Sequence, residues 1–425
     1  MQDLYPKFLY KSKNKILAII SLYIIGLISS ICFTSRAFIF ASSFVLIVLC
    51  FFYFKQRISL KKFAYIAIPV LFCLLLVLGF AFKPNSTLGR FFIYKVSFSA
   101  FLENCLLGVG PGRFKSEYLN YQAAYFNKGE YTKYELLLAD NTYFAFNDYL
   151  QFIVEWGISG VLSVLLFFTG LFYLLKRCVL KYKNNIPTML LLSSLLLLLL
   201  LIAACFTHVF EKLLFSLSAL SSLIVIIYYS FFVNKKQKTS IYIIISLIIL
   251  SCFTLFKTKN QILYYDVNKK WEEAQRLYFA GFTEEGLNIM DSIDKEMNKQ
   301  RDIKFLFFYS HVLIKNNRFE KANKVILTAI DEQPSNLLYQ NLGKCYVALK
   351  DPKLAEDAYK KAINMVPNRF GTRFSLFKFY LKTHQYEKAK ITGNRILTLP
   401  IKIPSEQVNY ILDSVKTKMK NLKTE

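Results

Sequence analysis

The chain has 425 residues, 54% of them apolar and only 19% charged, a balance too apolar for a soluble protein of this size. Lys and Arg number 54 against 28 Asp and Glu, a formal charge of +26. Much of that excess sits in short loops beside apolar blocks, so it reads as membrane orientation; no nucleic-acid motif is present and no nucleic-acid partner is expected.

In chain order, Lys7, Lys11, Lys13 and Lys15 precede a first apolar block too long for a cleavable signal core. Seven blocks reach the roughly 20 residues that a helix needs to cross a bilayer: Ile16–Thr34, Ala37–Phe54, Phe63–Phe82, Tyr149–Leu175, Thr188–Phe206, Leu213–Val233 and Ile241–Phe256. The fourth is long enough to tilt or to begin as an interfacial turn at Glu155-Trp156-Gly157. Each block is predicted helical, because lipid offers no partner to free backbone groups. Basic residues crowd the second, fourth and sixth connections at Lys55–Lys62, Lys176–Lys183 and Lys235–Lys238. Those connections and the N-terminus are therefore expected in the cytoplasm. Ser35-Arg36, the long segment Lys83–Asp148, the turn Thr207–Lys212 and everything after Phe256 are then expected outside. The eight Cys form no CxxC pair, and several lie within the apolar blocks as small fillers; neither a metal site nor a disulfide framework is read.

From about Gln261 the pattern becomes amphipathic and rich in Lys and Glu. Leu342, Gly343, Tyr346, Ala355, Tyr359, Ala362 and Pro367 fit the tetratricopeptide pattern position by position. Ala322, Ala329 and Pro334 recur one unit earlier, Tyr380 and Ala389 one unit later, and Trp271–Met290 is a degenerate first unit, giving three to four repeats. The predicted fold class is all-α: a polytopic transmembrane bundle of about seven spans followed by a tetratricopeptide solenoid. The divisions are 1–82 (three spans), 83–148 (a large outward loop), 149–257 (four spans) and 258–425 (outward repeats).

The loop carries the residues with chemical interest. Arg90 opens an aromatic stretch Phe91–Leu102, followed by Gly108-Val109-Gly110-Pro111-Gly112. A Tyr-rich portion then leads to Asn147-Asp148-Tyr149-Leu150-Gln151 and Glu155-Trp156-Gly157. The glycine run reads as a tight turn. Together with Ser35-Arg36-Ala37 between two spans, and Gly89-Arg90 ahead of Tyr94-Lys95, these pieces resemble the O-antigen ligase and O-antigen polymerase family over roughly Thr34–Val233.

That resemblance implies a transferase that moves a glycan from undecaprenyl pyrophosphate to an acceptor at the outer face of a bacterial cytoplasmic membrane. It implies no metal and no cofactor, because the lipid pyrophosphate is already an activated leaving group. Arg36 and Arg90 match the family's basic positions and are assigned the pyrophosphate, which a guanidinium pairs with bidentately; Asn147 is assigned to substrate. The family's His-Asn appears here as Phe146-Asn147, and Phe146 cannot take a proton. Asp148 is the substitute base, Glu155 the second candidate and His208 a distant third. Family members carry more spans ahead of the Ser-Arg motif than this chain does. The partners implied are the lipid-linked glycan, membrane lipid, and a protein or peptide docked on the repeats. The rival reading is a non-catalytic, membrane-anchored tetratricopeptide scaffold for surface-polysaccharide assembly.

Overall fold

The computed structural model describes residues 20–21, 23–24, 26, 28, 36–54, 84–182, 186–233 and 264–424. The expected spans Phe63–Phe82 and Ile241–Phe256, most of Ile16–Thr34, and Ser35 lie outside the described residues. Sixteen helices and no strand occur among the described residues, so the all-α expectation holds. The chain divides into two compact units: residues 1–90 with 144–257, and residues 91–143 with 258–425.

In the first unit, α1 (Arg36–Phe54) packs on α6 (Thr188–Ala204), and α6 in turn packs on α7 (Leu213–Phe231). α5 (Asp148–Lys181) lies against α7. α5 and α7 are long and apolar enough to cross a membrane, and α1 and α6 are apolar but shorter by that measure. Four of the seven predicted blocks are thus helices with nearly the predicted bounds. α5 is broken at Gly157, where φ is 60° and ψ −138°. Only glycine adopts that conformation without a steric penalty, and it separates a short first piece, Asp148–Trp156, from a long apolar run. The kink falls within Glu155-Trp156-Gly157, where the sequence suggested a turn.

In the second unit the chain first forms α3 (Phe114–Asn127) and the short α4 (Lys133–Leu138), preceded by α2 (Pro84–Glu103). A capping box at Thr132 and Glu135 starts α4, satisfying donors that a helix start leaves open. Four helix pairs follow: α8 and α9 (Tyr265–Phe279, Thr283–Gln300), α10 and α11 (Ile303–Lys315, Phe319–Glu332), α12 and α13 (Asn336–Ala348, Pro352–Met365), and α14 and α15 (Phe370–Lys382, Tyr386–Leu397), closed by α16 (Glu406–Thr424). The turn inside each pair is built the same way. Gly281, Asn317, Lys350 and His384 all have positive φ. The next N–H in each case reaches back five residues: Phe282 to Leu277, Arg318 to Leu313, Asp351 to Tyr346, and Gln385 to Tyr380. This is the Schellman closure, which satisfies the last carbonyls of a helix. Its fourfold recurrence makes Tyr265–Gln300 a full member of the array.

Small residues set the approach within pairs. A Cβ at Gly343 would lie 2.7 Å from the Tyr359 ring, and one at Gly286 would lie 2.9 Å from the Ala274 carbonyl oxygen. Neighbouring repeats are tied by half-buried carboxylates. Asp291 accepts the Tyr309 hydroxyl, Arg318 at 2.8 Å and Lys321 at 2.7 Å. Further along, Glu356 accepts the Tyr380 hydroxyl at 3.0 Å and the Lys388 ammonium at 3.0 Å. Burial alone would raise both carboxyls, but these donors hold Asp291 and Glu356 below the usual carboxylate range.

The loop residues 91–143 pack onto the repeats. α3 lies along α13, and Gln122 donates to the Asp140 carbonyl. Asn368, at the turn between α13 and α14, bonds the carbonyls of Leu136 (2.9 Å), Leu137 (3.2 Å) and Ala139 (2.7 Å). Arg369 pairs with Asp140 at 2.8 Å, and Asn141 donates to Asn336 at 2.8 Å.

Candidate functional site

All five predicted site residues fall in the first unit. Arg36 is the first residue of α1, and its Nη2 donates to Ser86 Oγ at 2.7 Å. Ser86 and Arg90 are four residues apart on α2, so they share a helix face. The Arg36 guanidinium is therefore anchored one helical turn from the position that bears Arg90. The Arg90 guanidinium lies 5.4 Å from the centre of the Phe146 ring, within reach of a cation–π interaction.

Phe146 itself has φ 53°, a left-handed conformation unusual for a bulky residue, and its ring meets His208 edge-on at 5.7 Å. The other face of this arrangement is Phe144, stacked on His208 at 4.2 Å. The Phe of Phe146-Asn147 thus sits between a guanidinium and an imidazole. His208 belongs to this aromatic cluster.

Asn147 is extended, at φ −154° and ψ 107°, and its Oδ1 accepts the Leu150 N–H at 3.0 Å. It is the N-cap of α5. The Asp148 carboxylate reaches the turn before α7. One oxygen accepts the N–H groups of Val209 at 2.7 Å and Phe210 at 3.0 Å, and the other makes no hydrogen bond among the described residues.

One turn on, Gln151 is buried and its amide nitrogen lies 3.5 Å from Glu155 Oε1 and 3.0 Å from Glu211 Oε1. Its Oε1 accepts the Ala145 N–H. Glu155 is only 8% exposed. Glu155 lies in the short piece before the Gly157 kink, and a buried carboxyl lining a cavity is a candidate functional group. Asp148, Gln151, Glu155 and Glu211 line the polar end of a cavity of about 740 Å³. Phe152, Val164, Phe167, Leu197, Leu201 and Leu223 form its apolar walls.

Gln151 and Glu211 were not singled out in the sequence. The signal for Glu211 was nonetheless present: it is the one acidic residue between Ile186 and Val233. No group of three or more His, Cys, Asp or Glu among the described residues is arranged to hold a metal ion.

The described residues are all-helical, with two helices long and apolar enough to cross a membrane and a helical-repeat tail. Residues 16–165 match the family model described as O-antigen ligase, and residues 338–369 match the tetratricopeptide repeat. The motifs around Arg36, Arg90 and Asn147 fall within the segment similar to O-antigen ligases, and those around Gly343 and Pro367 within the tetratricopeptide match. No curated protein matches it. Among solved structures it is similar to the MamA protein, at 11% identity over 36% of this chain and 88% of that one, with a TM-score of 0.29. It is also similar to YrrB, described as a tetratricopeptide-repeat protein with an unusual peptide-binding site, at 17% identity over 39% and 84% and a TM-score of 0.28.

Proposed function

We propose that the protein is a glycan transferase of the O-antigen ligase type. It takes its glycan from an undecaprenyl-pyrophosphate donor and delivers it at the outer face of the cytoplasmic membrane. The observation that carries this reading is that Arg36, Arg90, Asn147, Asp148 and Glu155 all fall inside the matched segment 16–165. Within it, Arg36 is bonded to a residue one turn from Arg90.

In this reading the two guanidinium groups bind the pyrophosphate, and their positive charge stabilises it as it departs. The acceptor hydroxyl loses its proton to a carboxylate as its oxygen bonds to the anomeric carbon. The bond from that carbon to the pyrophosphate oxygen breaks, releasing undecaprenyl pyrophosphate. Asp148 is the first choice of base because one of its oxygens stays open at the cavity, with Glu155 second. The apolar walls of the cavity suit a lipid chain.

The topology proposed is a multi-pass protein of about seven spans with a cytoplasmic N-terminus and an outward loop and tail. The packing of residues 91–143 with 258–425 supports it, since two segments of one compact unit share a side of the membrane. Four predicted spans separate them, and an even number returns the chain to the same side.

Arg36→Ala and Arg90→Ala test the function in membrane vesicles supplied with an undecaprenyl-pyrophosphate-linked glycan. Each should cost about 10²–10³-fold in transfer while the protein stays inserted, and Lys at either site should restore only part. Unchanged transfer in both Ala variants would overturn the reading. The scaffold alternative draws on Phe146, which stands where the family has a His. It expects no glycan transfer by the unaltered chain, and retention of assembly partners by the tail.

A further inference from the structure

We infer that α2 is a membrane-surface helix whose bare face lies in the outer leaflet of the phospholipid bilayer. Phe91, Phe98 and Leu102 are separated by seven and four residues. At 3.6 residues per turn they fall within roughly 20° of a single line. They are 57%, 53% and 58% exposed. On the opposite side Phe92, Ile93, Val96, Ser97 and Ala100 are buried and face the second unit, where Phe92 meets Tyr125 and Phe126. Both sides of the helix are therefore apolar, and only one is covered. The stripe continues into the turn, where Leu106 and Leu107 are 72% and 88% exposed.

Isolated exposed apolar residues need no explanation, but three along one helix face, followed by two more in the next turn, are a surface that meets something apolar. The chain itself indicates what. α2 begins two residues after the apolar block Phe63–Phe82, which reads as a span, and the segment returns at Asp148 into α5, which is long and apolar enough to cross. Residues 84–147 are thus tied at both ends to membrane-crossing sequence, which keeps this face beside the bilayer. From Pro84 to Leu102 there is no acidic residue to be repelled by anionic headgroups. At the margin of the stripe stands Tyr94, in edge contact with Phe91. Its amphipathic ring suits the headgroup level. A helix lying this way buries its apolar side about 5–10 Å into the boundary between headgroups and acyl chains. The inference rests on the proposed topology and not on the transferase chemistry.

Photocrosslinking of the full chain in vesicles of phosphatidylethanolamine and phosphatidylglycerol tests it. A benzophenone side chain is placed at Phe98, at Leu107, and at Tyr410 of α16 as an exposed control. Phospholipid adducts read by mass spectrometry should be at least tenfold more abundant from positions 98 and 107 than from 410. Leu107 lies beyond the end of α2, so its replacement leaves the helix untouched even if position 98 is sensitive. Equal yields at all three sites, no lipid adduct, or a protein adduct in place of lipid would overturn the inference.

Discussion

The two units use their carboxylates differently. In the repeat unit Asp291 and Glu356 meet Lys, Arg and a Tyr hydroxyl from the next repeat, so their charges are matched where they are formed and the stack is fastened. In the unit that carries the ligase motifs, Asp148 takes backbone N–H groups, while Glu155 and Glu211 gather around one amide, Gln151. They do so at the polar end of a cavity. A carboxylate matched to a cation holds a structure together. Asp148, held by the backbone N–H groups of Val209 and Phe210, keeps its capacity to accept a proton, as a general base requires.

The sharpest way to break that contrast is to neutralise the carboxylates one at a time. In Asp148→Asn the side-chain oxygen still accepts the Val209 and Phe210 N–H groups, so the turn before α7 is retained while the base is lost. Transfer from the lipid-linked glycan should fall by about 10²–10⁴-fold, with a smaller loss for Glu155→Gln. If the order is reversed in the vesicle assay, Glu155 is the base and Asp148 a brace. If both variants transfer normally, neither carboxylate takes the proton.

The elements themselves were legible in the sequence, because helices of membrane length and 34-residue repeats announce themselves through composition and local period. The block predicted at Thr188–Phe206 is the helix Thr188–Ala204, and Leu213–Val233 is Leu213–Phe231. Motif order likewise indicated the stretch from Asn147 to Glu155. What escaped notice depends on partners far away in the chain. The hydrogen bonds of Asp148 to Val209 and Phe210, and of Gln151 to Glu211, leave no periodic trace. Neither does the packing of 91–143 with the repeats. The left-handed turn at Lys350 was equally hidden, since Gly, and less strongly Asn and His, are the types that advertise positive φ.

On the repeat side the largest effect should come from packing. Gly343→Val places branched carbon where even a Cβ would lie 2.7 Å from the Tyr359 ring. Overpacking of this kind costs roughly 1–3 kcal/mol or more. Thermal unfolding of the full chain, followed by helical circular dichroism, should show the repeat transition several degrees lower. An unchanged transition would mean that the α12–α13 pair can separate without cost. The same substitution at Gly112, where nothing stands within 4 Å of an added Cβ but φ is +71°, would strain only a surface turn.

The attachment of the loop to the repeats should be weaker than their internal packing. Asn368→Ala leaves the carbonyls of Leu136, Leu137 and Ala139 without their shared donor. Loss of a buried partner costs about 1–3 kcal/mol, and the effect should be local. Limited proteolysis should cut 128–142 faster, with the repeat transition shifted little. Equal cleavage rates in the variant and the unaltered protein would show that the loop is held by other contacts.

The smallest effect is electrostatic and appears only in acid. Burial alone would raise the Glu135 carboxyl, but hydrogen bonds from Lys95, from the Thr132 backbone and hydroxyl, and from Tyr125 hold it down at about 2. The folded value lies below that of the unfolded chain, so the ionised group adds stability above about pH 4.5. That contribution is lost progressively as pH falls from there toward 2. Lys95, raised mainly by its hydrogen bond to Glu135, has the opposite sign, and its contribution disappears only in strong alkali as pH rises through its folded value. Amide hydrogen exchange across α4 should therefore accelerate between pH 4.5 and 2 by more than the intrinsic pH dependence of exchange. Glu135→Gln should remove the excess, because the amide cannot be protonated in this range. An excess that survives in Glu135→Gln would assign the acid sensitivity to another carboxyl of the same unit, and Asp291 and Glu356, both held low, are the groups to replace next.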